Sequence, residues 1–369
     1  MTKSELPRLL ERLLSLPTAP FHERFVGAFL RGELHEAGLD FTIDPCGNLI
    51  AGLAGSGGEP ALALVAHMDH PGFEITDASG GEAEAGWFGG VDAKYFLGAR
   101  VVVYDQDSGA VRARGVIRKI AKNAQGRVET MALRLDAHVR PGDFGTWNLA
   151  PFRRQGKLIR TKGADDLVGC AAILSALKEL KTRGIRTGIR GIFTRAEEIG
   201  FIGTLGMIRT GGLPRAAKII SVETSKALPG AVLGGGPVIR LGDRAGMFDH
   251  RMVSFMDRVG LNLQERQRRF RCQRRVMDGG TCEATPFQLN GYVAGGIAIP
   301  LANYHNQGKT KIGAEAIHLR DVEDTIRLLV ELATRQNEFD AATDELKRRI
   351  ESGWEKYGSR LKSQPDAFQ

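Results

Sequence analysis

Apolar positions in the first forty residues recur at helical spacing. Leu9, Leu10, Leu13, Leu14 and Leu16 form one stripe, with Ser4 placed to cap it and Pro17 and Pro20 to end it. A second helix is predicted from about His22 to Ala37, stopped by Gly38. Residues 41–44 and 49–52 read as strands around a Pro45–Gly47 turn. Ala61–His67 is a continuous apolar run, the pattern of a strand buried on both faces. From about 70 to 160 the pattern changes to short alternating stretches, at 99–104, 111–116 and 131–135, which predict a small all-β barrel or sandwich. Helix-length and strand-length segments then alternate, with helices at 166–180, 245–268 and 319–335 and strands at 189–194, 217–222 and 293–300. The predicted fold class is α/β, with a mixed, mostly parallel sheet flanked by helices. Residues 1–69 and 161–336 build it, 70–160 form an inserted β-barrel-like domain, and 337–369 form a charged helical tail.

Composition narrows the class. The chain has 369 residues, 42% hydrophobic and 25% charged, which is ordinary for a globular protein. No apolar run approaches the ~18 residues of a membrane span. Glu5, Arg8, Glu11 and Arg12 interrupt the N-terminal segment, against a secretory signal. Cys46, Cys170, Cys272 and Cys282 are scattered with no C-x-x-C pair, so neither a disulfide scaffold nor a thiolate zinc site is expected, and a cytoplasmic location is. Glycine is frequent, at 47 residues, and concentrates in turns such as Gly55–Gly58 and Gly234–Gly236. The net charge is +8, with the densest basic patch at Arg266, Arg268, Arg269, Arg271, Arg274 and Arg275. Without a nucleic-acid motif or an aromatic platform beyond Phe270, that patch reads as a solvated helix end running into an edge strand, not a polyanion site.

Five places carry candidate chemistry. His67-Met-Asp69 ends a buried strand, where a neutral imidazole can ligate a metal and Asp69 can hold the other ring nitrogen. Asp165-Asp166 precedes a helix; one carboxylate suffices for an N-cap, and a second can bridge two cations. Glu197-Glu198 follows another strand, where one glutamate can ligate and its neighbour can take a proton from water. Glu223 and His305 also lie at or just after strand ends. Each has a plainer reading, as a loop histidine, a cap or a surface carboxylate. Together they are more specific, because the ends of parallel strands meet at one sheet edge. Two histidines and several carboxylates gathered there suit two Zn²⁺, Co²⁺ or Mn²⁺ ions.

The order of these motifs resembles the M42 metallo-aminopeptidases, the group of glutamyl aminopeptidase, "cellulase M" and the TET aminopeptidases. The similarity runs to about residue 335. It includes Gly47-Asn48, His67-Met-Asp69 with Gly72-Phe73, Gly89-Gly90, Leu97-Gly98, Arg140-Pro-Gly-Asp143, Asp165-Asp166 with Gly169-Cys-Ala-Ala172, Glu197-Glu198-Ile-Gly200, Gly235-Gly-Pro237, Gly279-Gly-Thr281, and Ile299-Pro300 with His305.

The resemblance implies a zinc-peptidase-like fold and a di-metal aminopeptidase that removes N-terminal residues from short peptides. In it His67 and Glu223 hold one ion, Glu198 and His305 the other, and Asp165 bridges them. Glu197 is the general base for a water between the metals, Asp69 supports His67, and the Asp165–Asp166 peptide is cis. It also implies homo-oligomers, dimers formed through the β insertion or dodecamers built from them. Two positions depart from the pattern. Glu223 stands where the family has Asp, and Gly-Gly-Thr is followed by Cys282 and Glu283 in place of Asp. Gly280, Thr281, Cys282 and Glu283 are expected near the substrate. Cys282 motivates an alternative, a deacylase or amidase on the same scaffold, and the arginine patch a second, a basic polyanion-binding protein. The preferred N-terminal residue is not legible.

Overall fold

In the computed structural model, which describes residues 5–53 and 62–362, four parallel strands form the centre of one large sheet. Their spatial order is Ile189–Thr194, Leu62–His67, Lys218–Lys226 and Val293–Ala302. They are buried on both faces, which is why they read as apolar runs without alternation. Antiparallel strands extend both flanks: Leu49–Leu53 and Asp40–Ile43 on one side, and Glu315–His318, Leu158–Thr161 and Phe152–Gln155 on the other. The sheet is mixed, as expected, though among the described residues its antiparallel pairs outnumber the parallel ones: three parallel pairs stand at the centre and a fourth, Val238–Asp243 with Gln273–Met277, at the edge.

The helix Leu167–Thr182 lies across this centre and is buried on nearly every side. It touches the strand Leu62–His67 below and the helices Glu5–Leu14 and Leu319–Thr334 beside it. Its close seat depends on Gly191 in the sheet, where a Cβ would stand 2.7 Å from both Ile173 and Leu177 side-chain carbons.

The inserted unit is a closed barrel. Strands Gly72–Ser79, Glu82–Phe88, Val128–Leu135, Val111–Lys122, Arg100–Tyr104 and Phe144–Trp147 hydrogen-bond in that order and back to the first. Its interior, otherwise mostly aliphatic, holds an aromatic cluster, with Trp87 ring-to-ring at 4.8 Å with both Phe96 and Trp147. The strands at 152–161 fall within the stretch read from sequence as insertion, yet they pair into the large sheet. Turn spacing alone could not assign them to one sheet or the other.

Other differences are local. The helix read at 245–268 starts at His250, with Asp249 accepting from the Arg251 N–H at 2.9 Å as its cap. Upstream, Val238–Asp243 is a strand, hidden in the sequence by the charged Arg240 at its middle. The Ser4 cap and the Gly55–Gly58 turn lie outside the described residues. The tail forms the helix Ala341–Lys362, which touches His250–Arg266. The arginine patch sits where that helix ends and the edge strand Gln273–Met277 begins. Within it Arg266 pairs with Glu331, and Arg274 with Asp257 at 3.1 Å. No described helix is long and apolar enough to cross a membrane.

Where barrel and α/β body meet, Lys162 is buried with its Nζ 3.2 Å from the Tyr104 hydroxyl and no carboxylate partner among the described residues. Burial pushes its pKa down to about 7 and lifts Tyr104 to about 12. Between pH 7 and the ordinary lysine value the unfolded chain binds the extra proton, so this residue's cost is greatest below pH 7 and is relieved as pH rises. Each pH unit of that gap is worth about 1.4 kcal/mol. Lys162→Met is therefore expected to stabilise the chain by about 5 kcal/mol at pH 6 and by little near pH 10. Urea-unfolding midpoints at the two pH values check this, and an equal effect at both would contradict it.

Candidate metal centre

The carboxyl ends of the four central strands converge on one place. His67 closes its strand, Glu197 and Glu198 follow Thr194, Glu223 lies near the end of Lys218–Lys226, and His305 comes three residues after Ala302. The register fixes their neighbourhood: Thr194 is opposite His67, and Ser221 is opposite Val65, two residues before Glu223 and His67.

Asp165 sits at the centre. One carboxylate oxygen, Oδ1, is 3.4 Å from His67 Nε2, and the other, Oδ2, is 3.4 Å from His305 Nε2. On the His67 side, Nε2 is 3.5 Å from Glu223 Oε1 and 3.7 Å from Glu197 Oε2. On the His305 side, Nε2 is 3.2 Å from Glu198 Oε1. The polar atoms thus form two groups, His67 with Glu197 and Glu223, and Asp165 with Glu198 and His305, each spanning less than 4.8 Å. All the side chains are almost wholly buried except that of Glu197, the most exposed of the set at 11%.

Around this set the chain is held from behind. His67 Nδ1 lies 3.1 Å from the backbone oxygen of Asp69 and 3.5 Å from its carboxylate. The Asp69 carboxylate instead accepts the backbone N–H groups of Glu197 at 3.0 Å and Glu198 at 3.1 Å, so it fixes the paired glutamates as well as flanking the histidine. Asp166 caps the long central helix through the Gly169 N–H at 3.2 Å and also accepts from the Thr224 N–H and hydroxyl, beside Glu223. A Cβ at Gly169 would fall 2.4 Å from that carboxylate, so the helix can begin here only with glycine. The Asp165–Asp166 peptide is cis.

Several contributors carried no sequence signal. Glu315 accepts the N–H of Ala164 at 2.6 Å and of Asp165 at 3.3 Å. His70 faces the Asp165 carbonyl with Nδ1 at 2.6 Å and the Asn306 side-chain oxygen with Nε2 at 3.0 Å. The Asn306 amide nitrogen is committed to the Lys162 and Gly313 carbonyls, which leaves its side-chain oxygen facing His70. His305 Nδ1 lies 2.7 Å from the Gly90 carbonyl of the inserted unit. His305 and its neighbours Asn303 and Asn306 all have positive φ, a concentration of costly backbone that only surrounding contacts can hold.

Charge explains the remainder. Burial and the neighbouring carboxylates Glu223 and Glu198 push Glu197 well above the usual carboxylate range. Burial and Asp165 lift Glu223 to about 8. Burial also disfavours charge on His67 and His305, yet Glu197 with Asp165, and Glu198 with Asp165, hold both imidazoles well above their ordinary value. The cluster has more negative charge than its own cations offset. His67 Nε2, Asp165 Oδ1, Glu198 Oε1 and Glu223 Oε2 are buried with no hydrogen-bond partner. Leaving such atoms unsatisfied is costly, and divalent cations are the groups that would satisfy hard oxygen and imidazole donors together.

A family model, M42 glutamyl aminopeptidase, matches residues 47–328. The chain belongs to the M42 peptidase family. It is a peptidase hydrolase, and the members of this family are metal-dependent. A curated protein of Acetivibrio thermocellus, provisionally named as an aminopeptidase, is 26% identical over 349 residues, 90% of this chain and 99% of that protein. The TET aminopeptidase of Thaumarchaeota archaeon SCGC AB-539-E09 has the same fold, with a TM-score of 0.77 at 22% identity over 91% of this chain and 100% of the other. The TET1 peptidase of Pyrococcus horikoshii, described as assembling into a tetrahedron or a large octahedral shell, gives 0.72 at 22% identity over 89% and 99%.

The segment expected beside the substrate divides. Gly280 and Thr281 border an opening next to Glu223, along with Ser225, Lys226, Arg240 and Tyr304. Cys282 and Glu283 turn inward and are fully buried. Burial raises the Cys282 thiol to about 12, and the residue does not line the opening. Glu283 hydrogen-bonds Thr194 and Thr204 beneath the strand ends, and burial lifts it to about 7.

Proposed function

We propose that the chain is a di-metal aminopeptidase releasing N-terminal residues from short peptides. The observation that carries this is the pair of adjacent buried donor groups, with one Asp165 oxygen 3.4 Å from the histidine of each and ligand atoms unpartnered on both sides. His67 and Glu223 would hold one ion, Glu198 and His305 the other, and Asp165 both. Zn²⁺ or Co²⁺, and after them Mn²⁺, suit this oxygen-rich set. When bound, the ions would polarise the scissile carbonyl and make water a stronger acid.

Glu197 is left for the proton. It is the most exposed carboxylate of the set, and its backbone is pinned by Asp69. Burial raises its pKa above the usual carboxylate range, the direction a general base needs. It takes the proton from the attacking water and returns it to the leaving amine. Chelation should abolish hydrolysis of aminoacyl anilides, and added Zn²⁺ or Co²⁺ should restore it. Activity that survives exhaustive chelation would contradict the reading. A homo-oligomer in the cytoplasm is the expected form, in keeping with four free cysteines and the assemblies named for the related TET1 peptidase.

The charge beside Glu223 supports a preference for acidic N-terminal residues, for which the gap there, about 10 Å³ in this structure, would have to widen. Arg240 lines it with its side chain buried, Nη1 on the Ser225 hydroxyl at 3.0 Å, Nε unpartnered and no carboxylate within 4 Å among the described residues. A buried guanidinium lacking a counter-charge is costly, and a substrate carboxylate would supply one. Glu- and Asp-anilides should therefore exceed Leu-anilide in kcat/KM. Arg240→Gln should lower the Glu-anilide value by about 100-fold, near 3 kcal/mol, with little change for Leu-anilide. A parallel loss on both substrates would mean that Arg240 is structural.

A further inference from the structure

The outer face of the barrel carries a second, separate concentration of charge. The strand Val111–Lys122 sends Ala113 and Ile117 into the barrel core and turns Arg114, Val116 and Arg118 outward. Val116 is opposite Arg100 on one neighbouring strand and Arg134 on the other. The result is a cross of four arginines around one valine, lining a concavity of about 510 Å³.

None of the four guanidiniums has an ion pair or a side-chain hydrogen bond among the described residues. The one acid in the concavity, Asp136, already accepts the Arg114 backbone N–H at 2.7 Å. Two positions away from Arg114 on the same strand, Arg112 shows the alternative, being paired with Asp105 and, at 2.8 Å, with Asp143. Barrel arginines with a structural task therefore find carboxylates, and these four do not. Like charges gathered on adjacent strands cost stability.

We propose that this face binds a compact polyanion made of linked phosphates. Arg100 and Arg134 stand two strand spacings apart, about 9–10 Å, and Arg114 and Arg118 roughly 13 Å apart along their strand. That spread suits a chain of several phosphates better than one. The guanidinium fork matches phosphate oxygens in pairs, and every cation lining the site is an arginine. The only apolar side chains lining it are Val116 and Leu135, with no ring on which a base could stack. The site is independent of the metal centre and of the Arg266–Arg275 patch.

The test is calorimetric titration of the full, metal-loaded chain with inorganic tripolyphosphate and with orthophosphate, at 50 and 150 mM salt. Tripolyphosphate is expected to bind at least ten-fold more tightly than orthophosphate, with affinity falling as salt rises. The double variants Arg100→Gln/Arg134→Gln and Arg114→Gln/Arg118→Gln should each weaken it ten-fold or more, with unchanged circular dichroism and unchanged anilide hydrolysis. Arg268→Gln/Arg269→Gln should leave it intact. Equal loss in that control, binding that survives both barrel variants, or no binding by the assembled chain would overturn the proposal. So would a poly-glutamate peptide binding more tightly than tripolyphosphate.

Discussion

Glu197→Gln is expected to lower kcat by about 10²–10⁴-fold while the chain keeps its metal ions. The amide has nearly the carboxylate's shape, and the Asp69 clamp on the Glu197 and Glu198 N–H groups is untouched, so the two histidines and the other carboxylates stay in place. What disappears is the ability to take and return a proton. The discriminating readout is the pair of values, turnover and metal equivalents, measured on one preparation. Glu197 Oε2 lies only 3.7 Å from His67 Nε2, so a ligand role is the concrete rival. Loss of a metal ion together with activity would assign Glu197 to that role, and full activity would remove it from the chemistry.

Asp165→Asn should do more. The carboxylate serves two histidine-centred groups at equal distances, 3.4 Å on each side, and an amide keeps one oxygen for one of them. The variant is expected to retain at most one ion and to lose activity by 10³-fold or more. Its fold should survive, because Glu315 and His70 hold the backbone of residue 165, not its side chain. Thermal unfolding separates the cases. Wild type should gain stability on addition of Zn²⁺ in proportion to the logarithm of free metal, and the variant should gain clearly less. A variant that binds two ions and melts like wild type would deny Asp165 the bridging position.

Much of this centre was legible because its residues sit at strand ends. Burial on both faces makes a central strand an apolar run, and the polar residue that follows such a run must lie at the sheet edge. His67, Glu197 and Glu198 announce themselves in this way. Asp165 beside Asp166 is legible as one carboxylate more than a cap needs, and Asp166 is the cap. His70, Asn306 and Glu315 were not legible, and Gly90 only as part of a family motif, without its contact. Their contributions are contacts to backbone atoms across large sequence separations, such as His305 to Gly90 and Asp165 to Glu315, and no local pattern encodes them. Arg240 was missed for the opposite reason. A charged residue in the middle of a buried strand argues against the strand, and the structure keeps it buried with Nη1 on the Ser225 hydroxyl and the guanidinium beside the Phe248 ring. Cys282 and Glu283 lay in the expected segment, but the short helix Ala284–Leu289 carries them inward.

The central claim is that His67, Asp165, Glu198, Glu223 and His305 hold one pair of cations. Counting tightly bound metal per chain by elemental analysis, after equilibrium dialysis of the chelator-stripped protein against Zn²⁺, tests it most directly. The account predicts two equivalents in wild type and at most one in Asp165→Asn. One equivalent or none in wild type, or two in both, would contradict it.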